Sequence, residues 1–147
     1  MDFKVLAIKS EKEILKLAPL FTRVFSEKPY NEKWDKKSAL KRLKMLYNEA
    51  KGLCLYAEKD GKVVGLIFCQ QLTWPDGNHI IIEDLVVDKN FRRKKVAASL
   101  LSKLEALAKK KGIPAIDLLV NSKAEAPKFW KNQGYRQTAY VQYTKNI

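Results

Sequence analysis

The residues from Val86 to Ala97 carry the clearest chemistry in this sequence. They read Val86-Val87-Asp88-Lys89-Asn90-Phe91-Arg92-Arg93-Lys94-Lys95-Val96-Ala97. An apolar strand runs through a tight basic turn into a long helix. The first amides of a helix have no acceptor inside it, and its positive end faces the turn. Such a junction is a natural seat for a diphosphate. Arg92, Arg93, Lys94 and Lys95 add four positive charges there. A solvated basic turn is the plain alternative. Just upstream, Glu83 and Asp84 are adjacent in an otherwise apolar strand. Neighbouring strand residues point to opposite faces, so at most one of the two is expected in a given cleft. Burial there would raise a carboxyl toward the range useful for proton transfer. The competing role for Glu83 is structural, as the partner of a nearby lysine or the cap of a bulge.

These residues need elements to hold them. Residues 3–8 read as a first strand. Ser10, with Glu13 three residues on, has the form of a capping box. Ile14, Leu17, Ala18, Phe21 and Phe25 then recur at helical spacing, with Pro19 inside the run. Residues 26–31 form a loop, and Ala39, Leu40, Leu43, Leu46 and Tyr47 mark a second helix. Residues 52–58 and 62–72 are strands around Asp60-Gly61, a strong hairpin signal. Trp74 to Asn78 is a second turn, and residues 79–88 form a long strand. Residues 94–111 give the best helix, with Val96, Leu100, Leu104, Leu107 and Ala108 buried and Gly112 as its stop. The flat apolar run 113–120 predicts a central strand covered on both faces. A short helix over 124–132 ends at Gly134. Residues 135–144 alternate like a closing strand. This order predicts one α/β domain over residues 1–147, with a mixed sheet flanked by helices.

Composition narrows the function. The chain has 147 residues, 29 Lys and Arg against 16 Asp and Glu, and a net charge of +13. Such a surface attracts anions without saying which. No apolar run reaches the roughly 18 residues of a spanning helix, so no membrane partner is expected. The start lacks the layout of a secretion signal. Cys54 and Cys69, the only cysteines, sit in apolar runs and read as buried free thiols. A reducing cytoplasm is the expected compartment. A single His, His79, makes structural zinc and Ser-His-Asp chemistry poor readings. His79 itself reads as a surface residue at a strand start.

The stretch from Glu83 to Leu101 resembles the acetyl-CoA-binding motif of the GNAT superfamily of N-acetyltransferases. In that family a strand ending in valine leads through an aromatic and an arginine into a glycine-rich turn and a helix. Val87, Phe91, Arg92, Val96, Ala97, Leu100 and Leu101 stand in register with it. Phe129-Trp130-Lys131-Asn132-Gln133-Gly134-Tyr135 is similar to the family's second motif, with Asn121 at the preceding strand end. The resemblance spans nearly the whole chain. It implies a GNAT-like (acyl-CoA N-acyltransferase) three-layer α/β fold with a central mixed, mainly antiparallel sheet. Two departures stand out. Arg93 and Lys95 replace glycines that let the backbone approach a pyrophosphate closely. Trp130 stands where many members have a tyrosine acting as general acid, and an indole cannot supply a proton at neutral pH.

The resemblance implies transfer of an acetyl group from acetyl-CoA, as co-substrate, to a primary amine of a small molecule or peptide. The cofactor's pantetheine arm would pair with the main chain of Leu85, Val86 and Val87. Its diphosphate would sit at Arg92, Arg93, Lys94, Lys95, Val96 and Ala97; Asn121 would hydrogen-bond the arm or else cap the following helix, and Phe129 is a further cofactor-side candidate. Glu83 matches the position of a proposed base in some members, and Trp130 either hydrogen-bonds the sulfur or packs. The acceptor pocket would draw on Tyr30, Trp34, Trp74 and Glu83, with Tyr140 a further candidate. Aromatics beside a carboxylate suit a cationic amine. A homodimer is expected from exposed edge strands.

Two other readings compete. A CoA-binding member without turnover would explain Arg93, Lys95 and Trp130. A nucleic-acid-binding protein would explain the charge, but residues 89–95 and 109–111 lie about 30 Å apart along the helix. No recognition module matches, so no specific nucleic acid is expected.

Overall fold

The computed structural model describes residues 2–124 and 126–147. Its elements are β1 (Lys4–Ala7), α1 (Glu11–Ser26), α2 (Lys36–Ala50), β2 (Leu55–Lys59), β3 (Lys62–Trp74), β4 (Gly77–Val87), α3 (Val96–Lys110), β5 (Ala115–Leu118) and α4 (Ala126–Asn132). One 3₁₀ turn, Lys89–Phe91, joins β4 to the basic loop. The five strands lie in the order β1-β2-β3-β4-β5. All neighbours are antiparallel except β4 and β5. The sheet is therefore mixed and mainly antiparallel, with helices packed on it, as expected.

Turn chemistry fixes the registers. Asp60 and Gly61 both have positive φ, +50° and +77°, the twist a two-residue hairpin needs between β2 and β3. β3 is buried continuously from Val64 to Cys69, which requires cover on both faces. The α1–α2 pair supplies one cover and α3 the other. Gly65 makes the second packing possible. A Cβ there would stand 2.7 Å from Val96 Cγ1 and 3.2 Å from the Val86 carbonyl oxygen. The missing side chain thus seats the first turn of α3 directly on β3. Cys54 and Cys69 are buried and free. Among the described residues no helix is long and apolar enough to cross a membrane.

Three local expectations are corrected. The Ser10 side chain makes no capping bond; Glu13 Oε1 instead accepts from the Lys9 amide at 2.8 Å. The capping box belongs to α2, where Asp35 accepts from the Ser38 amide at 2.7 Å and Ser38 Oγ accepts from the Asp35 amide. β5 is an edge strand, half-buried throughout, and Leu119 just beyond it is 70% exposed. Its apolar run suits a covered strand, but among the described residues no strand lies on its outer side. The closing strand over 135–144 does not form, and Tyr140 and Tyr143 are exposed. Alternation specifies two faces; it does not supply a ladder partner.

Candidate functional site

The site begins at an irregularity in β4. Phe68 pairs with Asp84, but the next residue, Cys69, pairs with Ile82. Glu83 is therefore the extra residue of a β-bulge. A bulge bends its strand and re-aims side chains. Here it overturns the simple alternation: Glu83 and Asp84 both line one cavity of about 530 Å³. Beside them stand Tyr30, Glu32 and Trp34 from the α1–α2 connection, Arg42 from α2, and Leu119 and Gln142 from the far end of the chain.

Hydrogen bonds set each polar group. Arg42 donates to Asp84 through Nε at 2.9 Å and Nη2 at 3.3 Å. Asp84 is 5% exposed. Burial pushes its carboxyl above the ordinary value; the Arg42 fork opposes that, and the charges of Glu83 and Glu32 add to it. Glu83 Oε2 accepts from Gln70 Nε2 at 2.8 Å. Glu32 Oε1 accepts from the Trp34 indole N–H at 2.7 Å. The guanidinium of Arg42 lies over the Trp34 ring, 5.7 Å from its centroid.

The same bend opens the sheet. β5 follows β4 in parallel only from His79–Ala115 to Ile82–Leu118. β4 continues through Leu85, Val86 and Val87, which pair with β3 alone. One backbone edge of these three residues has no strand partner among the described residues, a gap in the ladder that an extended ligand could pair with.

The basic turn lies at the end of this gap. Asp88 anchors it: its carboxylate accepts from the Asn90 amide at 2.9 Å and from Arg23 Nη2 at 3.0 Å. Although burial works the other way, the Asn90 amide with Lys62 and Arg23 holds this carboxyl below its usual range. Phe91 is ringed by the ammonium groups of Lys59, Lys62 and Lys94, all within 6 Å of its centroid. Arg93 and Lys95 adopt φ of +62° and +66°. The backbone thus keeps the left-handed shape that glycine favours, with L side chains in its place. α3 starts immediately after, its Ser99 amide bonding to the Lys95 carbonyl. The amides of Val96 and Ala97 lie in the first turn ahead of that bond, where a helix has no acceptor of its own. Helix-start amides, a left-handed turn and clustered cations have the chemistry to hold a diphosphate, the group at the distal half of acetyl-CoA.

Other residues singled out from the sequence lie elsewhere. Trp130 is 8% exposed and packs edge-on against Phe129 and Tyr135. Asn121 accepts from the Lys123 amide and shapes the turn before α4. Trp74 sits at the β3–β4 hairpin, its ring 5.4 Å from that of His79, and does not line the cavity. Tyr140 is 91% exposed on the C-terminal segment. His79 is no free surface residue: Asp117 and Asp76 each lie 2.8 Å from one of its ring nitrogens. Glu32, Arg42 and Gln70 were not legible as site residues. Glu32 offered one signal, its place between Tyr30 and Trp34 in a loop rich in aromatics.

A possible acetyltransferase from Clostridium difficile 630 superposes with a TM-score of 0.83 at 19% identity, covering 100% of this chain and 99% of that one. An aminoglycoside acetyltransferase from an uncultured soil metagenomic sample, solved with sisomicin, gives 0.73 at 18% identity, covering 99% and 97%. Glucosamine-6-phosphate N-acetyltransferase from Arabidopsis thaliana gives 0.74 at 17% identity, covering 100% and 99%. At these identities the likeness establishes the fold. Comparison with curated proteins gives no match. A model of the acetyltransferase (GNAT) family matches residues 15–135, and the chain belongs to that family.

Proposed function

We propose that this chain moves an acetyl group from acetyl-CoA to a primary amine held in the cavity at the β4 bulge, with Glu83 taking the amine's proton. The observation that carries this is the bulge itself. It turns Glu83 into the cavity where β4 parts from β5, which supports a carboxylate and a cofactor-pairing strand edge sharing one bend. Bound acetyl-CoA supplies a thioester, whose C–S bond breaks as the C–N bond to the amine forms.

The chain's own residues do the rest. An ammonium must lose a proton before its nitrogen can attack, and Glu83 is placed to accept it. The Gln70 amide fixes that carboxylate. Leu85, Val86 and Val87 offer main-chain pairing to the pantetheine arm. Arg92 to Ala97 hold the diphosphate, with Lys59, Lys62 and Lys94 adding charge. Trp130, packed in the core, donates no proton; the departing CoA thiolate would instead take up the second N–H proton, which the nitrogen sheds as the amide forms.

Glu83→Gln tests this. Turnover falls by about 10²-fold, the usual scale for a lost general base, while acetyl-CoA affinity stays within about twofold. Unchanged turnover across the pH range would remove Glu83 from the reaction. A second reading, a member that binds CoA without turnover, has the buried Trp130 in its favour. It would show as acetyl-CoA binding with no amine acetylated.

A further inference from the structure

Among the described residues, two carboxylates of the cavity have no ion-pair partner. Asp84 is matched by the two-point fork from Arg42. Glu83 and Glu32 are held only by neutral donors, the Gln70 amide and the Trp34 indole. Among the described residues neither lies within ion-pair distance of a Lys or Arg. This occurs in a protein whose 29 basic residues outnumber 16 acidic ones. The charges of Glu83 and Glu32 both act on Asp84 and on Arg42, so all four share one field.

The walls point the same way. Phe25 and Tyr30 meet edge to face at 4.9 Å, and Trp34 is braced by Phe21 at 5.1 Å. The one cation of the lining, Arg42, already rests on the Trp34 face. Aromatic faces attract cations, more so where water is excluded.

We propose that the acceptor carries at least two ammonium groups, the reacting one at Glu83 and a second held by Glu32 against the Tyr30–Trp34 wall. This rests on the cavity being the acceptor site. Glu32 is then the specificity-determining residue. A monoamine leaves its charge unmatched, and an acceptor bearing a carboxylate beside its amine adds a like charge to an already acidic cavity.

The test is titration calorimetry of the full chain with 1,4-diaminobutane and with 1-aminobutane, in wild type and in Glu32→Gln. Glu32 is exposed, and Gln keeps an oxygen for the Trp34 indole, so the fold is retained. The diamine binds at least about fivefold tighter in wild type, the scale of one partly exposed ion pair reinforced by an aromatic face. In Glu32→Gln that ratio falls below about twofold. Equal affinities in wild type, a preference that survives Glu32→Gln, or no binding of either amine overturns the proposal. Thiol release from acetyl-CoA, followed in parallel, separates the two ideas. Diamine preference without thiol release keeps the two-cation cavity and removes acetyl transfer.

Discussion

Arg42 grips Asp84 across the cavity floor with two nitrogens, at 2.9 and 3.3 Å, from a helix 42 residues earlier in the chain. The pair ties α2 to β4 one residue past the bulge. Removing Arg42 leaves a buried carboxylate unpaired. Arg42→Met is expected to destabilise by about 2 kcal/mol at pH 7, below the range for a fully buried pair because the guanidinium keeps part of its surface in water. The sign with pH follows from Asp84. Its folded value is already raised, and losing Arg42 raises it further, so the variant's deficit is largest at neutral pH and shrinks as acid protonates the carboxyl. Urea unfolding at pH 7 and pH 5 checks this; a deficit that grows on acidification would contradict it.

Lys95 and Arg93 sit in left-handed backbone at a junction built for glycine. Lys95→Gly relieves about 1 kcal/mol of strain, partly offset by the added freedom of the unfolded chain. Acetyl-CoA binding is expected to hold or tighten. A loss of more than about tenfold would show that the Lys95 ammonium is a phosphate ligand the loop depends on.

Gly65 sets where α3 begins. A methyl group there meets Val96 and the Val86 backbone, which cannot yield as a flexible side chain does. Gly65→Ala is expected to destabilise by about 1–3 kcal/mol, the range for overpacking. Acetyl-CoA affinity should fall with it, since the first turn of α3 moves. Thermal unfolding and calorimetry read both; wild-type affinity with lowered stability would uncouple the helix seat from the loop.

His79 lies between two carboxylates and clamps the start of β5 to β4. The hydrogen bond to Asp117, with Asp76 assisting, raises its pKa above the ordinary value. A raised folded pKa stabilises fully below the unfolded value of about 6.5 and is lost as pH rises through the folded one. The stability gap between wild type and His79→Gln is therefore expected to shrink between pH 6 and pH 9. A gap that stays constant would mean the clamp does not depend on the proton.

Trp130 fills a core position between Phe129 and Tyr135. Trp130→Phe is expected to cost about 1 kcal/mol of stability and to change turnover less than about threefold. Abolished activity in a folded variant would give the indole a direct part in the reaction.

Much of this was legible in the sequence because local rules govern it. Asp60-Gly61 announced its hairpin, and the stripe from Val96 to Ala108 announced α3. The bulge at Glu83 was not legible as such, since one extra residue in an apolar run leaves the composition unchanged and alters only the register with β3. That shift is why Asp84 shares the cavity with Glu83. Arg42 was hidden for another reason. It lies on the polar flank of an amphipathic helix, where an arginine is ordinary until the opposing strand is known. The edge position of β5 depended on whether residues 135–144 would pair with it, and alternation alone does not determine pairing.

The most direct measurement is product analysis by mass after incubating the chain with acetyl-CoA and 1,4-diaminobutane, with thiol release followed in the same sample. Expected is N-acetylated diamine in amounts equal to the thiol released, and nearly none of either with Glu83→Gln. Stoichiometric acetyl-CoA binding with no acetylated amine, from this diamine or any other, would contradict acetyl transfer and leave a protein that binds CoA without turning it over.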